Sequence, residues 1–329
     1  MAPRYSFVIP VYNEAETLPE LRRRLFAVLE RLDGEAEVIF VDDGSVDGSA
    51  ELLDDLAEGD PRFKIVRFTR NFGHQIAVTA GIDFANGDAA IVMDADLQDP
   101  PELALELIAR WHEGYEIVYG VRTNRSGDPL VRRTSAKLFY RLLHRLGSVD
   151  LPEDAGDFRL VDRRALDQVR QMRESNRYVR GLVAWTGFRQ VGVPYVRDPR
   201  RSGGTKYPFG KRMTLAVDAI LGFSRTPVRV AVALGFAVSG IAFVFGVVAI
   251  VLRITGVHTV PGWASVVVVV SFLGGVQLVV TGMVGTYVGR IYEEVKGRPL
   301  YVLRETKGLG AEHLPVPGAG VADRPPAER

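Results

Sequence analysis

Two carboxylates one residue apart, Asp94 and Asp96, follow directly on the apolar run Ala89-Ala90-Ile91-Val92-Met93. A short apolar run of this kind reads as a buried strand, which puts the pair at a strand's carboxyl end, the edge where open α/β sheets bind ligands. Carboxylate oxygens are the ligands that hard divalent cations take, and a cation held there suits a diphosphate. Aspartate is also common in surface turns after strands, so an Asp-x-Asp pair decides nothing alone.

The elements that would position the pair repeat its design. Val38-Ile39-Phe40-Val41 is a second apolar run, ending in Asp42-Asp43-Gly44-Ser45, and Tyr5-Ser6-Phe7-Val8-Ile9 runs into Pro10-Val11-Tyr12-Asn13-Glu14. Asn13 is suited to cap a helix through Leu18, Leu21, Leu25, Val28 and Leu32, and Ser45 or Asp47 one through Leu52, Leu53 and Leu56. The alternation β-α-β-α predicts a mostly parallel sheet whose strand ends converge on one edge. A third strand, Lys64-Ile65-Val66-Arg67-Phe68, leads through Asn71-Phe72-Gly73 into a helix from His74 to Ala85. Ile117-Val118-Tyr119 and the region of Val191-Gly192-Val193 read as further strands.

The net charge of +1 over 329 residues hides an asymmetry. Residues 228–252 carry one charge, Arg229, and residues 263–288 carry none. Each stretch exceeds the about 20 apolar residues that a bilayer span needs. Lys206, Lys211, Arg212, Arg225 and Arg229 precede the first stretch, and Arg290, Lys296, Arg298, Arg304 and Lys307 follow the second, whereas the connector 254–262 has no Lys or Arg. The positive-inside tendency then predicts a multi-pass protein of the cell inner membrane with its catalytic domain and both termini cytoplasmic. The N-terminal apolar run is short and interrupted by Pro10, unlike a signal peptide. The absence of cysteine excludes disulfides, thiolate metal sites and cysteine nucleophiles. The expected organisation is a catalytic domain over 1–208, a juxtamembrane amphipathic helix over 209–226, two transmembrane helices with a short connector over 227–290, a cytoplasmic segment over 291–307 and a disordered tail over 308–329.

Six motifs taken in order now point to a family. They are Val8-Ile9-Pro10-Val11-Tyr12-Asn13-Glu14, Val41-Asp42-Asp43-Gly44-Ser45, Arg70-Asn71-Phe72-Gly73, Met93 through Glu102, Asp157-Phe158-Arg159-Leu160 and Arg200 through Tyr207. Together they resemble the family 2 glycosyltransferases that act on polyprenyl phosphates, the group of bactoprenol glucosyltransferases and dolichol-phosphate mannose synthases. The resemblance implies a GT-A fold, Rossmann-like α/β with a mostly parallel sheet, followed by two C-terminal transmembrane helices. It implies that Pro10, Tyr12 and Glu14 border the nucleoside, that Asp42 or Asp43 contacts base or ribose, and that Asp94 adjoins the nucleotide. Asp94, Asp96 and Gln98 would hold Mg²⁺ or Mn²⁺ at the diphosphate. Asp157 matches the family's proposed base and is grouped with Asp96 as catalytic. Arg122 and, in a second basic stretch, Arg133 match acceptor-phosphate arginines, and Arg200 with Lys206 matches the basic loop at the diphosphate.

The implied activity is metal-dependent inverting transfer of a hexose from a nucleotide sugar, UDP-glucose first and GDP-mannose second, to polyprenyl phosphate. The partners are the nucleotide sugar, the polyprenyl phosphate and the lipid bilayer. No nucleic acid is expected, and the small-residue spacing Gly285 to Gly289 leaves a homo-oligomer open. Asp157 has three open roles: accepting a residual proton, orienting another group, or pairing with Arg159. A processive polysaccharide synthase would need a Gln-x-x-Arg-Trp motif and more spans, and a non-catalytic nucleotide-binding scaffold would not need Asp94, Asp96, Gln98 and Asp157 together. The topology is testable. A cysteine placed at His258 is expected to react with an impermeant thiol reagent from outside the cell and one placed at Lys307 is not, and the reverse pattern would overturn the orientation.

Overall fold

The protein, as a computed structural model, is described over residues 3–123, 155–196, 226–255, 262–309 and 320–321. Two compact units divide these residues. In the first, β1 (Tyr5–Val11), β2 (Ala36–Asp42), β3 (Phe63–Phe68) and β4 (Ala89–Val92) alternate with α1 (Leu18–Leu29), α2 (Ser49–Gly59) and α3 (His74–Phe84). Then come α4 (Leu103–His112), β5 (Ile117–Arg122), β6 (Ala155–Asp162), α5 (Arg163–Gln171), α6 (Val179–Trp185) and β7 (Gln190–Tyr195), and finally β8 (Val302–Lys307) and β9 (Gly320–Val321).

One sheet runs β7-β5-β6-β4-β1-β2-β3-β8-β9. β1 pairs in parallel with β2 and β4, and β2 with β3, so their carboxyl ends share one edge, as the alternation predicts. β6 runs antiparallel between β4 and β5. This is the mostly parallel α/β sheet expected of a GT-A enzyme. β1 is buried along its whole length, as a central strand covered on both faces must be. α3 lies so close to β1 that a Cβ on Gly81 would overlap Val8 Cγ1, and that close approach sets where the first residue of α3 sits.

Two helix starts differ from the sequence expectation. Asn13 does not cap α1, whose N-cap is Thr17. Asn13 instead takes a left-handed φ of 55°, and its side-chain oxygen accepts from Val46 N at 2.9 Å, because a short amide tolerates that backbone and can fasten a neighbouring loop. The N-cap of α2 is Gly48, while Asp47 beside it accepts from Ser49 N at 3.1 Å.

The second unit consists of α7 (Thr226–Ile254) and α8 (Trp263–Val295), which pack as a pair. Both are long and apolar enough to cross a membrane. Phe236, Phe243, Phe245 and Leu278 are each more than 70% exposed, which a helix of a soluble core would not leave to water.

Past α8 the chain returns to the first unit. β8 pairs antiparallel with β3, and the preceding Tyr301 is fully buried, stacked on Phe68 at 5.1 Å between ring centres. Its hydroxyl donates to Asp83 Oδ2 at 2.9 Å, and Arg173 donates to both oxygens of the same carboxylate at 2.8 and 2.9 Å. Asp83, on the last turn of α3, thus joins the returning segment to α3. Removing the ring in Tyr301→Ala is expected to cost about 3–5 kcal/mol, while Tyr301→Phe, which leaves Asp83 with Arg173, costs about 1–2 kcal/mol. Thermal unfolding of the full chain in detergent measures both, and an unchanged midpoint for Tyr301→Ala would show that the returning segment does not stabilise the sheet.

Candidate active site

The register of β6 against β4 builds the centre of the site. Val92 lies opposite Arg159, and continuing that antiparallel register by two residues sets Asp157 across from Asp94. α3, which follows β3 on the same sheet edge, adds His74, with Gly73 at φ 102° making the turn that a residue with a Cβ rarely makes. His74 Nε2 lies 3.5 Å from Asp94 Oδ1 and 3.9 Å from Asp157 Oδ2.

The two carboxylates are treated very differently. Arg180 of α6 grips Asp157 through a planar fork, with Nε and a terminal nitrogen each 2.6 Å from a carboxylate oxygen. Burial works against the Asp157 charge, but the charge and hydrogen bonds of Arg180, followed by His74 and Arg159, hold the carboxyl far below its usual range. Of the partners considered from sequence, Arg159 instead donates to Gly156 O at 3.0 Å. Asp94 has no such clamp. Its Oδ1 is buried without a hydrogen-bond partner among the described residues, although the side chain as a whole keeps 23% exposure. Burial, opposed by His74 and reinforced by the charges of Asp157, Asp96 and Asp99, pushes the Asp94 carboxyl up to about 6.

A divalent cation fits here, since one ligand atom each from His74, Asp94 and Asp157 lie within 4.8 Å of one another around an unsatisfied buried oxygen. The metal residues expected from sequence are only partly gathered in this group. Asp96 Oδ1 accepts from Gln98 N at 3.1 Å, closing a loop in which Leu97 takes a left-handed φ of 56° and is buried. Such a backbone for leucine is an outlier of the kind found at functional sites.

Along the same edge, Pro10 ends β1 opposite Val41, and Tyr12 just beyond is 40% exposed. Glu14 begins the turn into α1, its backbone N donating to Ser49 Oγ at 2.9 Å. Asp42 and Asp43 are buried and already work within the fold. Asp42 accepts from Arg67 Nε at 3.1 Å and from Ser45 N at 2.9 Å, and Asp43 accepts from Phe72 N at 2.6 Å and Gly73 N at 2.9 Å. Asp43 therefore holds the turn that presents His74.

Arg122, at the end of β5, donates from Nε to the Tyr195 hydroxyl at 3.1 Å, and that hydroxyl donates to Asp99 Oδ1 at 2.5 Å. The buried Asp99 directly follows Gln98, so this trio braces the Asp94–Asp96 loop. Arg133, Arg200 and Lys206 lie outside the described residues. His74 and Arg180 were not singled out from sequence. His74 carried a usable signal, being the first residue after a glycine turn at a strand end on the same edge, whereas Arg180, 23 residues beyond Asp157, carried none.

The family described as "Glycosyl transferase family 2" matches residues 6–170. The chain is 46% identical over 311 residues to "Uncharacterized glycosyltransferase YkcC" of Bacillus subtilis, covering 94% of this chain and 96% of that one. It is 38% identical over 303 residues to bactoprenol glucosyl transferase of Shigella phage SfII, covering 92% and 98%. Among solved structures, glucosyl-3-phosphoglycerate synthase from Mycobacterium tuberculosis, in complex with Mn²⁺, UDP and glucosyl-3-phosphoglycerate, aligns with a TM-score of 0.45 at 17% identity over 66% of this chain and 77% of that one.

The Asp94 environment makes a stability prediction. A carboxyl raised from 3.8 to about 6 binds its proton more tightly in the folded chain, so its ionisation costs stability as pH rises through that window. At about pH 7.5 without divalent cations, Asp94→Asn is therefore expected to unfold at a higher temperature than the parent chain, with the gap narrowing as pH falls through about 6 and closing only near about pH 3, below the ordinary carboxyl pKa, where the group is protonated in both states. Differential scanning calorimetry tests this, and an equal or lower midpoint for Asp94→Asn at the higher pH would count against an uncompensated charge.

Proposed function

Because the chain belongs to glycosyl transferase family 2, we propose that it transfers a sugar, with inversion and dependence on a divalent cation, from a nucleotide diphosphate sugar to a polyprenyl phosphate. The donor favoured is UDP-glucose and the acceptor undecaprenyl phosphate, at the cytoplasmic face of the cell inner membrane. The observation that carries this reading is the buried Asp94 Oδ1, which accepts no hydrogen bond among the described residues, on a carboxylate facing Asp157 across the edge where the parallel strands end. Bactoprenol glucosyl transferase, similar along nearly its whole length, supports the choice of sugar and acceptor.

A bound Mg²⁺ or Mn²⁺ supplies Lewis-acid neutralisation of the diphosphate leaving group. Asp94, with Asp96 and Gln98 from the adjoining loop, holds that group, and Pro10, Tyr12, Glu14, Asp42 and Asp43 line and brace the nucleoside side. A phosphate monoester with a second pKa near about 6 is already largely ionised at neutral pH, so its oxygen needs little help from a base. Asp157, kept ionised by Arg180, is correspondingly a weak proton acceptor, and its role in this reading is to hold Arg180 and face His74 at the reacting centre. Arg122 is assigned to the acceptor phosphate together with Arg133, Arg200 and Lys206, which give the charge density that two anions brought together require.

The sheet supports the membrane topology. β7 precedes the two apolar helices and β8 follows them, yet both belong to one sheet, so the intervening chain must leave and re-enter on the same side of any bilayer. Two spans meet that requirement. Membranes containing the protein, incubated with a panel of labelled nucleotide sugars, Mn²⁺ or Mg²⁺ and undecaprenyl phosphate, are expected to move label from UDP-glucose into the lipid phase. Asp96→Asn is expected to lower that transfer by about 10²-fold or more. No lipid-phase label from any donor, or full transfer in excess chelator, would sink the proposal.

A further inference from the structure

We infer that His74 is a nitrogen ligand of the divalent cation held at Asp94, so that the cation sits in a mixed imidazole and carboxylate site bounded by Asp157. The inference deepens the cation-dependent reading above and rests on it. His74 Nε2 is 3.5 Å from Asp94 Oδ1 and 3.9 Å from Asp157 Oδ2, longer than a hydrogen bond and too short for an unrelated neighbour. Ligands that share one cation at about 2.1 Å are expected about 3.0–4.2 Å apart, which is the spacing seen. Asp94 Oδ1, the oxygen nearest the ring, is also the buried oxygen that accepts no hydrogen bond among the described residues.

The ring is held in place by the fold. Asp43 fixes the Phe72–Gly73 turn through two backbone hydrogen bonds, and Gly81 lets α3 settle onto β1. An imidazole among the ligands selects against Mg²⁺, which keeps to oxygen and gives up its water reluctantly, and towards first-row transition ions, Mn²⁺ among them.

The test uses the full chain in detergent, loaded with Mn²⁺ alone and without nucleotide. Pulsed electron paramagnetic resonance is expected to show nitrogen modulation from a directly bound imidazole, to change to the ¹⁵N pattern when histidine is ¹⁵N-labelled, and to lose it in His74→Gln. In that variant Mn²⁺ affinity is expected to fall more than about tenfold, and Mg²⁺ affinity, read by competition, by less than about threefold. The isotope experiment uses the parent chain, so it stands even if His74→Gln does not fold.

Mn²⁺ that binds, is lost in Asp94→Asn and shows no imidazole nitrogen would overturn the role of His74 while leaving the cation-dependent reading intact. Mn²⁺ binding that is absent, or unchanged by Asp94→Asn, would overturn both. Nitrogen modulation that persists in folded His74→Gln would overturn the assignment to this histidine.

Discussion

Gathering carboxylates at one edge of a sheet is the constraint to which the rest of the catalytic unit answers. Like charges brought out of water repel and lose hydration, and each must be compensated by a specific donor. Asp42 has Arg67, Asp43 has the Phe72 and Gly73 amides, Asp99 has Tyr195 with Arg122, and Asp157 has Arg180. The donors come from separate places in the chain, β3 and the turn after it, β5, β7 and α6, so neutralising the edge also ties the sheet to its helices. Asp94 lacks such a donor for its Oδ1, which accepts no hydrogen bond among the described residues and has the His74 ring nitrogen 3.5 Å away.

The same accounting separates two kinds of acidic residue that a motif does not distinguish. Asp42 and Asp43 stand in a sequence pattern that suggests direct contact with ligand, yet both are buried and occupied with internal partners. Asp42 holds Ser45 and Arg67, and Asp43 holds the turn before His74. Asp157 shows the point from the other side. A carboxylate forked by an arginine is a good anchor and a poor base, because the proton it would accept competes with two charge-assisted hydrogen bonds.

Much of this was legible in the sequence because it depends on local pattern. Apolar runs that stop at acidic residues marked the ends of β1, β2 and β4, and long uncharged stretches marked α7 and α8. What the pattern missed depends on pairing between distant segments. β6 carries Asp157 to Asp94 through an antiparallel register, and nothing in the residues around Asp157 specifies a partner strand more than sixty positions earlier. Arg180 meets Asp157 only because the fold brings α6 to the end of β6, and Asn13, a good cap by type, instead accepts from Val46 N in the loop opposite. β8 was hidden for another reason: its charged, half-exposed residues look like a tail, and only Tyr301 and Leu303 are buried.

That returning strand has a consequence for biosynthesis. β8 covers the free edge of β3 and is made after both apolar helices. During translation the sheet stays open along β3 until the chain has passed α8, and an open strand edge invites pairing with other chains. A nascent chain whose apolar helices fail to enter a bilayer would have to bring β8 home past two stretches seeking lipid. In a chain whose two apolar helices enter a bilayer, closure of the β3 edge would follow insertion, so the sheet would be completed after the helices have found their place.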